Sequence, residues 1–433
     1  MKNIFKKMHK LPLFALLIAI PLLGAGCQST PPASPVTLKI WKPFVTTEKM
    51  QSIISAYQTL HPNVTIEYTA KNIENYQTDL INALATGNGP DIFSINNTWL
   101  PQYLDKTTPA PDKTFTVKDY KETFVDPVVT DMIRDNKIYG TAMWVDSLGL
   151  YYNKDLLGTS GIATPAKTWQ DLADDVRVIT RQDENGYFSR SGVAIGTNSN
   201  VNRAGDIVYL LMLQAGVIPW TKDGSSPQFA NSITKAGQTV NPGVEAVEFY
   251  TSFANPSSAN YTWNEDSDYS IDSFANGRSA YLFGYSYTRA QIDAKAPNLN
   301  YDVAPVPQYN LTNPTVNYSS YFAEVVSKQS KNETWAWDFL KFATSKSSLE
   351  GYYKTDKQPS SRRDIIEAQT SDPQMGVFAH ANLTGKTFYK ADEAKFDAII
   401  GDMIDNIVLR SQPADQALSR AQSQASTLSQ IRN

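Results

Sequence analysis

Aromatic side chains at predicted strand ends are the groups in this sequence that point most directly to ligand chemistry. Aromatic residues make up 11% of the 433 positions, with 23 tyrosines and 8 tryptophans. A flat ring can cover the apolar C–H face of a pyranose, while a tyrosine O–H or an indole N–H reaches the sugar hydroxyls. Trp41, Trp99 and Trp144 each fall at a strand end, in a loop or in an extended segment, whereas tryptophans on helix faces fill cores. We therefore predict that these three tryptophans line a ligand cleft.

Asp146 is the carboxylate that the sequence pattern singles out. It lies in the run Ala142–Leu156, where apolar and polar residues alternate around a tryptophan and a glycine, as expected of an extended segment that passes a cleft. A carboxylate at such a place can accept two hydroxyl hydrogen bonds from a neutral ligand, and charged acceptors form the stronger bonds. The alternative role is structural, with Asp146 accepting a hinge or helix-cap hydrogen bond.

The sequence contains no recognised catalytic or metal-binding motif. It has three histidines and one cysteine, with no H-E-x-x-H, no Cys/His cluster and no G-x-S-x-G elbow. The acidic residues at 266–272 and the turn Asp183–Gly186 lack the spacing and the terminal glutamate of a calcium loop. We therefore predict a binding protein that uses no metal and no cofactor and that catalyses no reaction.

Strands and helices are predicted to alternate before residue 142, which indicates a doubly wound α/β sheet of parallel strands. In such sheets, ligands bind beyond the carboxyl ends of the strands. The loop after the third strand carries Asn96, Asn97 and Trp99, so we predict that this loop contacts ligand. The predicted elements are strands at 38–41, 64–68 and 91–95 and helices at 50–60 and 76–84.

The length of the chain predicts two domains, because 433 residues exceed what one hydrophobic core normally serves. The run Ala142–Leu156 is interpreted as the first passage between them. We predict a second passage at 280–285 and a third at 318–326. Tyr318 and Tyr321 lie on the third passage and are further candidates for ligand contact.

The N-terminus resembles a bacterial lipoprotein signal. Four lysines precede the apolar run Leu11–Leu23, and three small residues then lead to Cys27, the only cysteine of the chain. We predict a signal peptide over 1–26, lipidation of Cys27 and a Ser/Thr/Pro tether over 27–36. The alternatives are a plain signal peptide or a membrane anchor, although the apolar run is short for a membrane span.

Composition excludes two other classes of protein. The mean hydropathy of −0.36 is incompatible with several membrane spans. Removal of residues 1–26 takes away four lysines and no acids, so the formal charge falls from −4 to −8. An acidic protein of this kind lacks the basic surface that nucleic-acid binding requires, and we predict no nucleic-acid partner.

Four phrases in a fixed order resemble a known family. They are G-N-G-P-D-I-F (Gly87–Phe93), G-L-Y-Y-N-K-D-L (Gly149–Leu156), F-A-N-G-R-S-A-Y-L-F-G (Phe274–Gly284) and W-A-W-D-F-L-K-F-A-T (Trp335–Thr344). The order and the chain length are similar to those of the family 1 extracellular solute-binding proteins, which deliver carbohydrates to ATP-driven importers.

The resemblance implies an α/β periplasmic-binding-protein fold of type II, with two lobes, three hinge crossings and a mostly parallel, helix-flanked sheet in each lobe. We expect one lobe to contain 37–143 plus 284–320 and the other to contain 144–283 plus 321–433. It also implies that the loop 96–99 and Asp146 contact the ligand. Tyr285 and Tyr287 fall where family members place an aromatic residue after a glycine, so they join the predicted site.

The function implied by the resemblance is capture of a sugar or oligosaccharide by hinge closure. The partners would be the membrane subunits of an ABC permease and the membrane itself, through a lipid anchor on the outer face of the cytoplasmic membrane, and we expect a monomer. One alternative is a receptor for a peptide, polyamine or glycerol phosphate. An anionic ligand would need Lys42 or Arg289, and a polyamine would need several acids. The other alternative is a surface-anchored glycoside hydrolase with two opposed carboxylates.

Overall fold

The computed structural model describes residues 34–221, 224–235 and 237–430. The predicted signal peptide, Cys27 and most of the predicted tether lie outside the described residues. The strands are β1 (Val36–Pro43), β2 (Val64–Lys71), β3 (Ile92–Asn96), β4 (Thr107–Thr108), β5 (Ile133–Arg134), β6 (Lys137–Ile138), β7 (Gly140–Thr141), β8 (Asp146–Ser147), β9 (Gly149–Asn153), β10 (Arg181–Gln182), β11 (Phe188–Val193), β12 (Ile233–Lys235), β13 (Gln238–Val240), β14 (Ser279–Gly284), β15 (Tyr301–Pro305), β16 (Asn317–Ser320), β17 (Phe322–Ser327) and β18 (Gly385–Lys386).

The helices follow the strands along the chain in both halves. They are α1 (Thr47–Leu60), α2 (Ile73–Ala85), α3 (Leu100–Tyr103), α4 (Val117–Thr123), α5 (Asp126–Met132), α6 (Lys154–Thr159), α7 (Trp169–Ile179), α8 (Ala204–Ala215), α9 (Pro242–Ser252), α10 (Ser270–Ala275), α11 (Thr288–Lys295), α12 (Glu333–Ala343), α13 (Lys346–Thr355), α14 (Arg363–Gln369), α15 (Gly376–Asn382), α16 (Glu393–Val408) and α17 (Ala414–Gln430). Within the described residues, no helix is both long enough and apolar enough to cross a membrane.

The first sheet has the order β2-β1-β3-β17-β4, and β7 pairs with β17 at its side. β1 is parallel to both β2 and β3, as the alternation of strands and helices predicts, whereas β17 is antiparallel to β3, β4 and β7, so this sheet is mixed as well. Helix α1 buries Met50, Ile53, Ile54 and Tyr57, which recur at helical spacing, against this sheet. The predicted strands and helices before residue 100 are therefore confirmed, because each is specified by short-range periodicity.

The second sheet has the order β10-β11-β14-β9-β15 and is mixed rather than mostly parallel. Only the β11–β14 pair within it is parallel, and β9 is antiparallel to both β14 and β15. β9 and β14 are antiparallel because the chain runs through them in opposite directions relative to the crossing. β9 starts at the crossing, where Gly149 pairs with Gly284, whereas β14 ends there. The hydrophobic cluster of the second sheet is separate from that of the first sheet.

The predicted assignment of the later segments to the lobes is wrong in two places. β14 is not a passage between lobes, because β14 and β15 both pair with β9 and helix α11 between them packs beside this sheet through Ile292. The strand at 301–305 therefore belongs to the second lobe, not the first. β17 pairs with β3, and α12 to α14 pack in the core of the first sheet, so residues 322–369 belong to the first lobe.

A small third sheet lies at the chain crossings, with the order β18-β16-β8. β8 precedes β9 in the first crossing, and β16 directly precedes β17 in the second. The third crossing is α15 with β18. Phe378 of α15 packs with the second lobe, and Ala379 packs with the first. The chain then remains in the second lobe, where α16 and α17 pack on the core.

Candidate ligand-binding cleft

The loop after β3 forms one wall of a cleft between the lobes. Asn96 folds the loop, because its side-chain oxygen accepts hydrogen bonds from the backbone N (3.0 Å) and the hydroxyl (3.0 Å) of Thr98. Asn97 ties the loop to β17 through its backbone N, which donates to the Tyr321 carbonyl (3.0 Å). These two predicted site residues are buried and fix the position of Trp99.

Aromatic rings continue this first wall outward from Trp99. The Phe322 ring at the start of β17 lies edge-on to Trp99, with centroids 5.7 Å apart, and edge-on to Phe44, with centroids 5.2 Å apart. Phe44 follows β1, is 61% exposed and has a positive φ of 65°. An exposed ring on a strained backbone is unusual in a soluble fold and typical of binding surfaces.

The second wall is built around two stacked tyrosines that follow β14. The Tyr285 and Tyr287 rings lie 5.7 Å apart, inclined by 24°. Tyr285 is buried, and its hydroxyl donates to Asp206 Oδ2 (2.9 Å) on α8. Tyr287 is 42% exposed, and its hydroxyl accepts from Arg203 Nε (3.0 Å). The second wall therefore presents a ring face beside a guanidinium.

Asp146 holds these tyrosines in place from the hinge. Ser286, the residue between them, donates its backbone N–H to both oxygens of this carboxylate as one shared hydrogen bond (3.1 and 3.0 Å) and donates its hydroxyl to Oδ2 (2.6 Å). Burial raises the pKa of Asp146 to about 7, against the lowering effect of these bonds. The contacts correspond to the structural alternative considered for this residue, a hinge hydrogen bond.

Direct contacts join the two walls at one end of the cleft. Trp99 Nε1 donates to Glu393 Oε2 (2.7 Å), and Gln102 Nε2 donates to the Ala391 carbonyl (2.6 Å). Lys390 lies beside Glu393 and donates to both oxygens of Asp397 (2.9 and 3.0 Å). The segment 390–393, which follows the third crossing, therefore closes this end of the cleft.

The charges on the second wall act on one another. Burial is the largest influence on the pKa of Lys390 and lowers it, but the carboxylates of Asp397, Asp206 and Glu393 outweigh burial, so the pKa is raised. Burial raises the pKa of Glu393, opposed by Lys390. Arg203 is exposed but partly desolvated by its neighbours, which lowers its pKa, and the charges of Asp206 and the two tyrosines outweigh this effect, so the Arg203 pKa is raised. Every cation of this wall has an acid beside it.

A half-buried carboxylate, Asp131, connects the first wall with the third crossing. It accepts hydrogen bonds from Asn97 Nδ2 (3.0 Å), the Tyr321 hydroxyl (3.1 Å) and the Thr387 hydroxyl (2.8 Å). Burial raises its pKa to about 6, although these bonds lower it. Tyr321, predicted to touch ligand, is buried here. A cavity of about 480 Å³ between the lobes is lined by Asn97, Asp131 and Thr387 together with Trp220.

Other residues selected from the sequence have different surroundings. Tyr318 is buried, with its ring 5.8 Å from that of Tyr209. The Trp41 ring lies under Lys71 Nζ (3.8 Å), and the Trp144 ring stacks on Tyr352 (6.3 Å). Trp41 and Trp144 are half-buried and Tyr318 is buried, each with its ring beside another side chain of the protein.

The basic residues of the cleft were not predicted correctly. Lys42 pairs with Glu324 in the first core, and Arg289 lies beside the Tyr301 ring (5.3 Å), so neither lines the cleft. Arg134 lines the cavity between the lobes, and Arg203 and Lys390 lie on the second wall. Arg203 follows β11 and precedes α8, so the rule that ligands bind beyond the carboxyl ends of strands could have found it. Lys390 had no such signal.

Among the described residues, no group of three or more histidine, cysteine, aspartate or glutamate side chains could hold a metal ion.

A family model for bacterial extracellular solute-binding proteins matches residues 44–349, which is more than half of the chain. This chain belongs to that family. The solute-binding protein is accordingly an exported protein, as the name of its family states.

The solute-binding protein is 24% identical over 298 residues to a binding protein of Brucella abortus (strain 2308), with 67% of each chain covered. It is also 24% identical over 307 residues to the maltodextrin-binding protein MdxE of Bacillus subtilis (strain 168), with 68% of this chain and 67% of that protein covered. The crystal structure of a cyclic α-maltosyl-1,6-maltose-binding protein from Arthrobacter globiformis is similar with a TM-score of 0.75 and 17% identity, covering 92% of this chain and 100% of that one. The predicted family and two-lobed type II fold are thereby confirmed.

Proposed function

We propose that this protein captures a neutral mono- or oligosaccharide between its lobes and presents it, unchanged, to the membrane subunits of an ABC importer. Ligand contacts to both walls would stabilise the closed arrangement, because only a ligand that binds the closed state better can shift the equilibrium towards it. The named maltodextrin-binding and maltosyl-maltose-binding relatives support a carbohydrate as the solute class.

The observation that carries this proposal is the presence of aromatic rings on both lobes, beside hydrogen-bonding groups. In the first lobe, Phe44 is exposed, Phe322 is half-buried and Trp99 is buried beside Phe322. In the second lobe, Tyr287 with Arg203 offers a ring and N–H donors. A saccharide needs both, because its ring faces are apolar and its edges carry hydroxyl groups. A peptide or a purely ionic solute would not need several rings.

A neutral ligand is favoured because the acids of the second wall already have partners. Asp206 accepts from Tyr285, Asp146 accepts from Ser286, and Glu393 accepts from Trp99. A polyamine would have to displace these bonds and leave the donors without partners, and an unsatisfied buried donor costs about 1–3 kcal/mol. The second wall therefore contains the carboxylates that a polyamine would need, but these carboxylates already accept hydrogen bonds from the protein.

The site that we propose has ligand-contacting and supporting residues. Trp99, Tyr287 and Arg203 would touch the saccharide. Asn96, Asn97, Asp146 and Tyr285 would hold those side chains in position, since their polar groups are already bonded within the protein. Trp41, Trp144, Tyr318 and Tyr321 would act through packing of the lobes.

We also propose that the mature chain is a lipoprotein held at the outer face of the cytoplasmic membrane through Cys27. The N-terminal lysines, the apolar run and the small residues before the only cysteine support this. A monomer with a flexible tether can present its closed lobes to a permease from a fixed anchor.

Isothermal titration calorimetry against a defined panel tests the function. The panel contains maltose, maltotetraose, mannobiose, cellobiose, D-tagatose, D-glucuronate, D-galacturonate, putrescine, glycerol 3-phosphate and trialanine. We expect one-to-one binding of a neutral saccharide and about fivefold weaker binding by Tyr287→Ala, because a lost ring contact is worth roughly 1 kcal/mol.

Tyr187→Ala is the matched control, since Tyr187 is an exposed tyrosine on a turn of the same lobe. Binding of only putrescine, glycerol 3-phosphate or trialanine would contradict the proposal, as would binding of no panel member. Release of new reducing ends from an oligosaccharide would favour the hydrolase.

A further inference from the structure

Arg203 is held in an uncommon backbone conformation at the start of α8. Its φ and ψ are 60° and 36°, in the left-handed region that L-residues with side chains seldom adopt. Such conformations persist where surrounding contacts impose them, and they concentrate at functional sites. Here the conformation carries the guanidinium over both rings of the second wall, with Cζ 5.7 Å from the Tyr285 centroid and 5.9 Å from the Tyr287 centroid.

Most hydrogen-bonding capacity of Arg203 is unused within the described part of the chain. A guanidinium has five N–H groups. Nε donates to the Tyr287 hydroxyl (3.0 Å), and no described residue accepts from either Nη atom. The residue is exposed, so these N–H groups can be reached from solvent. Four N–H groups in a rigid plane are therefore available to a molecule in the cleft.

Nearby carboxylates offset the charge of Arg203, and this affects which ligand groups can accept its hydrogen bonds. Asp206 is near enough to raise the Arg203 pKa, and Asp146 also feels the charge of this guanidinium. The other cation of the wall, Lys390, is bonded to Asp397. These acids would repel a ligand carboxylate that binds the guanidinium, whereas they would not repel neutral hydroxyl groups. The charge pattern thus favours hydroxyl acceptors.

We propose that Arg203 is the specificity-determining residue of the cleft. Its two Nη groups donate paired hydrogen bonds to adjacent hydroxyl oxygens of the sugar unit that lies against Tyr287, and they select neutral saccharides over sugar acids. This inference rests on the proposed function. Beyond that function, it assigns the recognition of one pair of sugar hydroxyls to the Arg203 side chain.

Calorimetry of Arg203→Ala, Arg203→Lys and the control Arg278→Ala with the panel saccharide that binds best tests the inference. We expect affinity to fall about 10- to 150-fold in Arg203→Ala, because a hydrogen bond to a charged group contributes in that range. Arg203→Lys should recover only part of the loss, since an ammonium lacks the planar fork. Arg278 is exposed and paired with Asp268 at the opposite end of β14, so its variant should bind normally.

Monodeoxy forms of the same saccharide separate recognition from mere support of the tyrosines. Removal of one recognised hydroxyl should weaken binding to the wild-type protein about tenfold or more but cause no further loss in Arg203→Ala. Equal losses in both proteins for every deoxy form would overturn the inference, as would unchanged affinity in Arg203→Ala or tighter binding of D-glucuronate or D-galacturonate than of any neutral sugar. If no panel saccharide binds the wild-type protein, the proposed function itself fails.

Discussion

Glu324→Ala lowers the free energy of unfolding by about 3–5 kcal/mol, which is the cost of leaving a buried charge without its partner. The side chains of Lys42 and Glu324 are 2% and 5% exposed and form an ion pair. The strand register places them side by side with Ser94 across β1, β3 and β17. With Glu324 removed, the Lys42 ammonium would keep only Ser94 and the Trp144 ring, 4.6 Å away, as neighbours able to interact with charge.

Equilibrium denaturation in urea measures this effect. The matched control is Glu350→Ala, which breaks the exposed pair between Lys346 and Glu350 and should change stability by less than about 1 kcal/mol. The double variant Lys42→Met with Glu324→Leu removes both charges and should recover most of the loss, because replacing a buried pair with apolar groups is close to neutral. A double variant as unstable as Glu324→Ala would contradict this explanation.

Trp263→Ala destabilises the second lobe by about 3–5 kcal/mol, as expected for removal of a fully buried large aromatic side chain. Trp263 is 0% exposed, and its Nε1 donates to Asn200 Oδ1 (3.1 Å). Asn200 in turn donates to the carbonyls of Asn264 (2.8 Å) and Ser267 (2.9 Å). The indole therefore fills the core and also orders the loop that carries it.

Urea denaturation of Trp263→Ala and Trp263→Phe, with Tyr187→Ala as an exposed control, checks this role. Trp263→Phe should lose less stability because it keeps most of the ring, and the control should change by about 0.5 kcal/mol at most. A fully stable Trp263→Ala protein would show that Trp263 is not a core residue.

Local patterns were sufficient to predict the first half of the first lobe. The spacing of Ile53, Ile54 and Tyr57 and the alternation in β2 are read within one element, so β1 to β3 and the helices between them follow from short-range periodicity. The carboxyl-end rule also identified the loop 96–99 as a wall of the cleft.

The predicted crossings were wrong for a physical reason. β14 is buried along its whole length, and an apolar strand of this kind carries no mark of the sheet that it will join. The placement of β17 depends on pairing with β3, which lies more than two hundred residues earlier. Periodicity within a segment cannot report such a pairing.

The same limit applies to the candidate site. Trp99 was found because it follows a predicted strand, but its partner Glu393 lies 294 residues away and enters the cleft only through the third crossing. Trp144 has a side chain of the type that stacks on sugars, and in the structure its ring stacks on Tyr352. Residue type therefore indicated the chemistry of the candidate site, whereas the partners of each side chain depend on tertiary contacts that a single segment does not encode.

Amide hydrogen exchange, with and without a saturating concentration of the best-binding panel saccharide, tests most directly whether the ligand lies between the lobes. We expect exchange to slow both in the first-lobe loop 96–103 and in the second-lobe turn 284–290, while α7 on the second sheet is unchanged. Slowing in only one of the two walls, or in neither, would contradict the account.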